Sequence, residues 1–259
     1  MIPAGFAALE PSLLALMLAL LRPGAALLAA PVFSMPAVPV QLRLVIATAI
    51  GLPGMALAGV APPPEGVVAF AGLLFIAGEL LCGLAMGFAL QIGFAAALVA
   101  GEVVSNAMGL GFATMNDPAG GHASPAFGQL LSVLATFLFF ASDGHLHFFR
   151  LVVESYAAMP PGGAWPSGAA LHALVRFGGL VFSAGLSIAL PVGFALVLVQ
   201  LIMGMIGRSA PTLNLFAVGM PVALIAGIIL MAATLPAMAE GVSRTLTAAL
   251  EYAARLARG

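Results

Sequence analysis

The chain has 259 residues, 63% of them hydrophobic and 7% charged, with a formal net charge of -1. A soluble domain carries about a quarter charged residues, so a lipid bilayer or a large apolar partner surface must solvate much of this one. The charge leaves no electrostatic case for nucleic-acid binding, the complete lack of lysine excludes Lys-based chemistry, and the single Cys82 excludes an intrachain disulfide or a cysteine-rich metal site.

The segment before Arg22 has no basic residue and so lacks the n-region of a cleaved signal peptide; the first apolar segment is expected to remain in the mature protein. Six apolar segments follow in order. The first covers about residues 11–30 and is interrupted by Arg22 and Pro23. The second covers about 42–61, and the third about 66–100, where Glu79 and Gln91 are the strongly polar positions. The fourth covers about 126–149, the fifth about 171–206 with Pro191 in its middle, and the sixth about 213–238, followed by an amphipathic tail that holds Arg255 and Arg258. These segments are long, rich in Ala and Leu and without period-2 alternation, which predicts helices. Prolines and Asp117-Pro118 punctuate their ends.

Segments three and five each amount to roughly 52 Å of helix at 1.5 Å per residue, whereas a bilayer core needs about 20 residues. They are expected to bend, break or project. Pro191 offers a kink, Gly83 and Gly87 offer close packing, and Gly93 offers a weak point. With six alternating spans the arginines divide five to three, too evenly for the positive-inside rule to orient the chain.

The polar residues form a few constellations. Asp143, His147, Arg150 and Glu154 are spaced 4, 3 and 4, which on one helix makes a polar stripe. A charge-compensated interfacial stripe is preferred to a proton relay, and Gly144 leaves room for Ser142 or Asp143 to cap a new helix instead. His145 and His147 point about 200° apart on a helix, so they do not share a metal. Glu79 and Glu102 are intramembrane or membrane-edge carboxylates and therefore relay candidates, although Glu102 borders a loop where water can solvate it.

The oddest stretch is GEVVSNAMGLGFATMNDPAGGHASP, residues 101–125. Its Gly109-Leu110-Gly111 has no following lysine and no preceding strand pattern, so it reads as a flexible turn and not a phosphate loop. Met108, Phe112 and Met115 bring bulky, deformable side chains to that turn. They suit either a seal that yields to something large or a re-entrant loop tucked into the protein's own core.

Four stretches in order carry a resemblance: LRPGAALLAAPVFSMPAVPVQLRL (21–44), the run 101–125, LFFASDGHLHFFRLVVESYAAMP (138–160) and PTLNLFAVGMPVALIAGIILM (211–231). Together they are similar to the FliR-like family of type III secretion export-gate subunits, flagellar and virulence branches alike. The resemblance implies an all-α membrane protein over residues 1–259, with about six long, partly kinked helices arranged as hairpins within a hetero-oligomeric gate. It implies FliP-like and FliQ-like partners, with FlhB-like and FlhA-like export proteins nearby, in the bacterial inner membrane at the flagellar basal body. The substrates would be unfolded flagellar proteins, and no cofactor or enzymatic activity is implied. The family's plug loop matches residues 106–123. Met108, Leu110, Phe112 and Met115 would be its apolar contacts and Asp117-Pro118 its end. The rival is a proton- or ion-coupled transporter using Glu79, Glu102 and Asp143. An intramembrane protease at Ser183 or Ser187 lacks the necessary motif.

Overall fold

A computed structural model describes residues 10–110, 126–163, 166–209 and 215–258, and all regular structure among them is helical. In chain order the helices are α1 (Glu10–Ala19), α2 (Leu21–Ala29), α3 (Pro31–Ser34), α4 (Val40–Ala58), α5 (Phe70–Ala107), α6 (Ala126–Ala141), α7 (Gly144–Ala158), α8 (Gly168–Phe177), α9 (Leu180–Ser209) and α10 (Leu215–Ala257). Among the described residues five helical stretches are long and apolar enough to cross a membrane, or six if the bent pair α6–α7 counts as one span. That matches the expected set of apolar segments in number and order.

The boundaries differ where polar or flexible residues interrupt the pattern. The first segment does not break at Arg22 and Pro23. It turns at Leu20, and both residues sit in the first turn of α2, where a proline's missing N–H is no loss. The fifth segment continues through Pro191; its interruption is the turn at Gly178–Gly179, between α8 and α9. α5 is continuous over Gly93 and reaches Ala107, 38 residues or about 57 Å of helix. α10 carries the sixth segment and the amphipathic tail as one 43-residue helix through Pro221 and Pro236.

The fourth segment is divided. α6 and α7 meet at 68° across Ser142 and Asp143. Asp143 therefore does not share a helix with His147, Arg150 and Glu154, and the expected four-residue stripe is shortened to three. It occupies the N-cap position of α7 with φ 54°, ψ 23°, and its side chain makes no cap hydrogen bond. Aspartate tolerates this left-handed conformation better than most residues, and the following Gly144 eases the corner.

The contacts divide the helices into two compact units. The first comprises Met1–Ile92, Ser142–Gly178 and Thr247–Gly259; the second comprises Gly93–Ala141 and Gly179–Leu246. In the first, α4 lies against α1, α2 and α7. Leu18, Ala19, Val60, Phe75 and Tyr156 form a buried cluster there. Its helices approach closely over small residues, as Gly83 and Gly87 led us to expect. A Cβ on Gly83 would stand 2.8 Å from the Cβ of Ala25, and one on Gly87 2.7 Å from that of Ala29. In the second unit the Phe94 and Phe139 rings meet edge to face at 5.5 Å, and Gly185 packs against Ala96 and Val99.

The strain at Asp143 is testable. Asp143→Gly is expected to hold or raise the thermal midpoint of the purified protein, because glycine adopts φ > 0 freely. Asp143→Val is expected to destabilise by about 1–2 kcal/mol, because a β-branched side chain tolerates the left-handed region much less well than aspartate does. Equal stability of the two variants would contradict the bend as described.

Candidate functional site

Each unit holds one arrangement that the sequence pattern alone does not explain. In the first unit it is a buried cation. Arg22, 0% exposed, is delivered by the first turn of α2 into the space between α5 and α7. Its Nε donates to Glu79 Oε2 at 2.9 Å and its Nη2 to Glu79 Oε1 at 2.8 Å, a two-pronged pairing with a carboxylate that is 2% exposed. Nη1 donates to Ser155 Oγ at 3.0 Å, and Nη2 also donates to the carbonyl of Met159 at 2.8 Å. The guanidinium lies 4.3 Å from the centre of the Tyr156 ring, and the Tyr156 hydroxyl donates to the Ala19 carbonyl at 2.7 Å.

These contacts satisfy both charges in a place where water does not reach them. A charge removed from water loses several kcal/mol of solvation unless a partner and hydrogen bonds replace it. Arginine's planar fork does this for a carboxylate in a way lysine cannot. Chemically the arrangement is a closed staple: the Glu79 carboxylate is already occupied by Nε and Nη2, which is the opposite of a relay group poised to exchange protons. Sequence reasoning singled out Glu79 but treated Arg22 as an interruption. Each is an isolated charge of opposite sign inside an apolar segment, but nothing local in the sequence pairs them.

The second unit holds the approach to the loop. α5 ends in a glycine-closed turn: Gly109, with φ 84°, donates its N–H to the Asn106 carbonyl at 3.0 Å, and the Leu110 N–H donates to the Ser105 carbonyl at 3.1 Å. Met108 is 1% exposed and lies over Gly227 of α10, and Gln200 of α9 donates to the Ala107 carbonyl at 2.8 Å. On the returning side, Gly128 of α6 packs on Leu98 and Glu102, and Gly101 faces the backbone of Phe127 and Gly128. Of the expected loop 106–123, Asn106 and Ala107 are therefore helical, and Met108 belongs to the protein's own core. Leu110 is half-buried. Phe112, Met115, Asp117 and Pro118 lie outside the described residues. Gln200 and Gly227 were not anticipated; a lone amide and a lone glycine in long apolar helices give no periodic signal.

The other polar candidates remain apart in character. Glu102 is half-buried beside Gly128, and Asp143 and His147 are exposed at the α6–α7 bend. Arg150 Nε and Glu154 Oε1 form an exposed i,i+4 pair at 2.9 Å, as their spacing predicted. Among the described residues no group of three His, Cys, Asp or Glu side chains is placed to hold a metal ion.

A family model described as bacterial export proteins, family 1, matches residues 13–249. The chain is 37% identical over 224 residues to the flagellar biosynthetic protein FliR of Escherichia coli (strain K12), covering 85% of this chain and 84% of that one. The protein of the same name from Pectobacterium carotovorum subsp. carotovorum is 38% identical over 170 residues, 66% of this chain and 65% of its own. That from Caulobacter vibrioides is 30% identical over 220 residues, 84% of this chain and 87% of its own.

The staple makes a double-substitution prediction. Arg22→Met leaves the Glu79 carboxylate buried without its partner and is expected to cost about 3–5 kcal/mol. Arg22→Met combined with Glu79→Met removes both charges and is expected to restore much of that loss. Thermal midpoints in detergent and the amount of folded chain recovered from membranes provide the check. A double variant as damaged as Arg22→Met alone would refute the coupling.

Proposed function

The chain belongs to the bacterial export proteins, family 1, and from that membership we propose that it is a non-enzymatic, integral membrane subunit of the flagellar protein export apparatus. It forms part of an export channel in the bacterial inner membrane, at the flagellar basal body, through which unfolded flagellar proteins pass. The observation that carries this reading is the family match across residues 13–249, which covers all or most of each apolar helix long enough to span among the described residues.

The geometry supports an assembled subunit over a self-sufficient transporter. α9 presents exposed Phe182, Phe194, Leu201 and Met205, and α10 presents exposed Ile225 and Ile229. At 30 residues, α9 is about 45 Å long, against a hydrocarbon layer of about 30 Å. Neighbouring protein helices cover what lipid does not, and FliP-like and FliQ-like subunits fit that role, with FlhB-like and FlhA-like proteins further out. The three carboxylates of the rival relay do not favour transport: Glu79 is occupied by Arg22, Glu102 is half-buried at a helix crossing, and Asp143 stands exposed at a bend.

Within that role, residues 106–123 are the gating plug, with Leu110, Phe112 and Met115 as apolar contacts and Asp117-Pro118 as its end. Met108 roots the plug in the second unit. Energy for export comes from other components, because the chain has no lysine-bearing phosphate loop.

Gentle extraction of the tagged chain followed by native mass spectrometry tests the assembly. A hetero-oligomer with other small hydrophobic subunits is expected; a stable, complete monomer would sink the reading. The plug has a separate test. Phe112→Ala with Met115→Ala is expected to leave assembly intact and make the membrane leaky to ions. Unchanged ion permeability in an assembled gate would count against the seal.

A further inference from the structure

An apolar groove of about 360 Å³ opens on the first unit between α2, α5 and α8. Ala29 of α2 and Leu174 of α8 line it together with Leu81, Leu84, Phe88 and Gln91 of α5. The four α5 residues recur every three or four positions and so lie along one side of that helix. Leu81 and Gln91 stand about 15 Å apart along the axis, the depth of one leaflet in a hydrocarbon layer of about 30 Å. Leu84 and Phe88 are 44% and 45% exposed, so the groove is open along its length.

Gln91 is the one polar side chain in this lining. It is exposed, and among the described residues its amide has no hydrogen-bond partner. An amide left unpaired in hydrocarbon costs about 2–7 kcal/mol. Counted from the start of α5 at Phe70, Gln91 lies about 32 Å along the helix. A span that starts at one face of the hydrocarbon therefore brings Gln91 to the other face, the level of the phospholipid ester carbonyls. We propose that the groove binds one acyl chain of a diacyl phospholipid, with the Gln91 amide donating to the ester carbonyl at the head of that chain. A neighbouring transmembrane helix does not fit the same space. One helical turn with its side chains, about 10 Å across and 5.4 Å high, occupies roughly 420 Å³, more than the whole groove. A flexible run of methylene groups can follow the groove from Leu81 to Gln91 and give Leu84 and Phe88 the close contacts they lack. The site goes beyond the export role and depends only on α5 lying in a membrane.

Photolabelling tests this on the assembled gate, held in nanodiscs whose phosphatidylglycerol carries a diazirine midway along one acyl chain. Label is expected on peptides covering residues 81–91 and 171–174 in excess of that on the exposed apolar face of α9. Leu84→Trp, which fills the groove from an exposed position, is expected to remove the excess. Leu80→Trp, also exposed on α5 but outside the groove lining, is expected to leave it. Gln91→Leu is expected to lower the labelling roughly two- to tenfold, the effect of one lost hydrogen bond, and decides the matter even if the tryptophan disturbs assembly. A face merely wetted by bulk lipid would respond in the other sense, because leucine is the more lipid-soluble side chain. Labelling unchanged or raised in Gln91→Leu would therefore overturn the site. So would p-benzoylphenylalanine in place of Leu84 coupling to another subunit of the gate and not to lipid.

Discussion

An apolar interior offers nothing to a charge except what the protein itself provides, and the first unit is arranged around that fact. Arg22 reaches its partners only because α2 starts one residue before it and because α5 and α7 present Glu79, Ser155 and the Met159 carbonyl at matching heights. A register shift of one residue in any of the three helices would leave a buried ion unpaired, with a cost of several kcal/mol. The ion pair adds little to stability compared with well-packed apolar side chains of the same volume. Its effect is to single out one register among helices whose apolar faces, rich in Ala and Leu, would otherwise slide past one another with little penalty. Tyr156 reinforces that choice by stacking near the guanidinium and bonding to Ala19 in α1.

Among its described residues the second unit has no buried ion pair and relies on the kind of small-residue contact that the first unit also shows. Its fixed points are close approaches over glycine: Gly101 on the backbone of Phe127 and Gly128, Gly185 on Ala96 and Val99, and Gly241 on Ile188. Small-residue contacts of this kind let helix backbones come near enough for dispersion to replace the hydrophobic drive that lipid does not supply. Buried charge specifies strongly and deforms poorly. Small-residue contact specifies more softly and tolerates sliding.

Helix type, number and order were legible in the sequence, because long apolar stretches bounded by prolines leave few alternatives. The breaks were less so. α9 runs through Pro191 as one helix, and the helix boundary within the fifth segment falls at Gly178–Gly179. A proline removes one hydrogen bond that neighbouring groups can compensate, whereas two adjacent glycines weaken the backbone on their own account. Asp143 fitted a four-membered stripe by spacing, but spacing presumes an unbroken helix, and that presumption fails at Ser142 and Asp143. The Arg150–Glu154 pair was read correctly because an i,i+4 contact depends on nothing outside its own two turns. The Arg22–Glu79 pair spans 57 positions, and no local pattern announces a partnership at that range. The contacts of Ala107 with Gln200 and of Met108 with Gly227 were not legible, because they depend on helices that come about a hundred residues later.

α5 enters the cores of both units, and the first unit is assembled from three separate stretches of chain. Its last stretch lies at the far end of α10, where Ala253 and Leu256 are buried and Tyr252 stacks on Phe177 with ring centres 4.1 Å apart. During synthesis, Arg22 and Glu79 can pair once α5 has emerged, and Ser155 can join them later, but the unit stays open along one side until the ribosome has passed Tyr252. The second unit, bounded by residues 93 and 246, is complete by then. The unit whose chain begins first is therefore completed last, because it draws on stretches from both ends of the described chain.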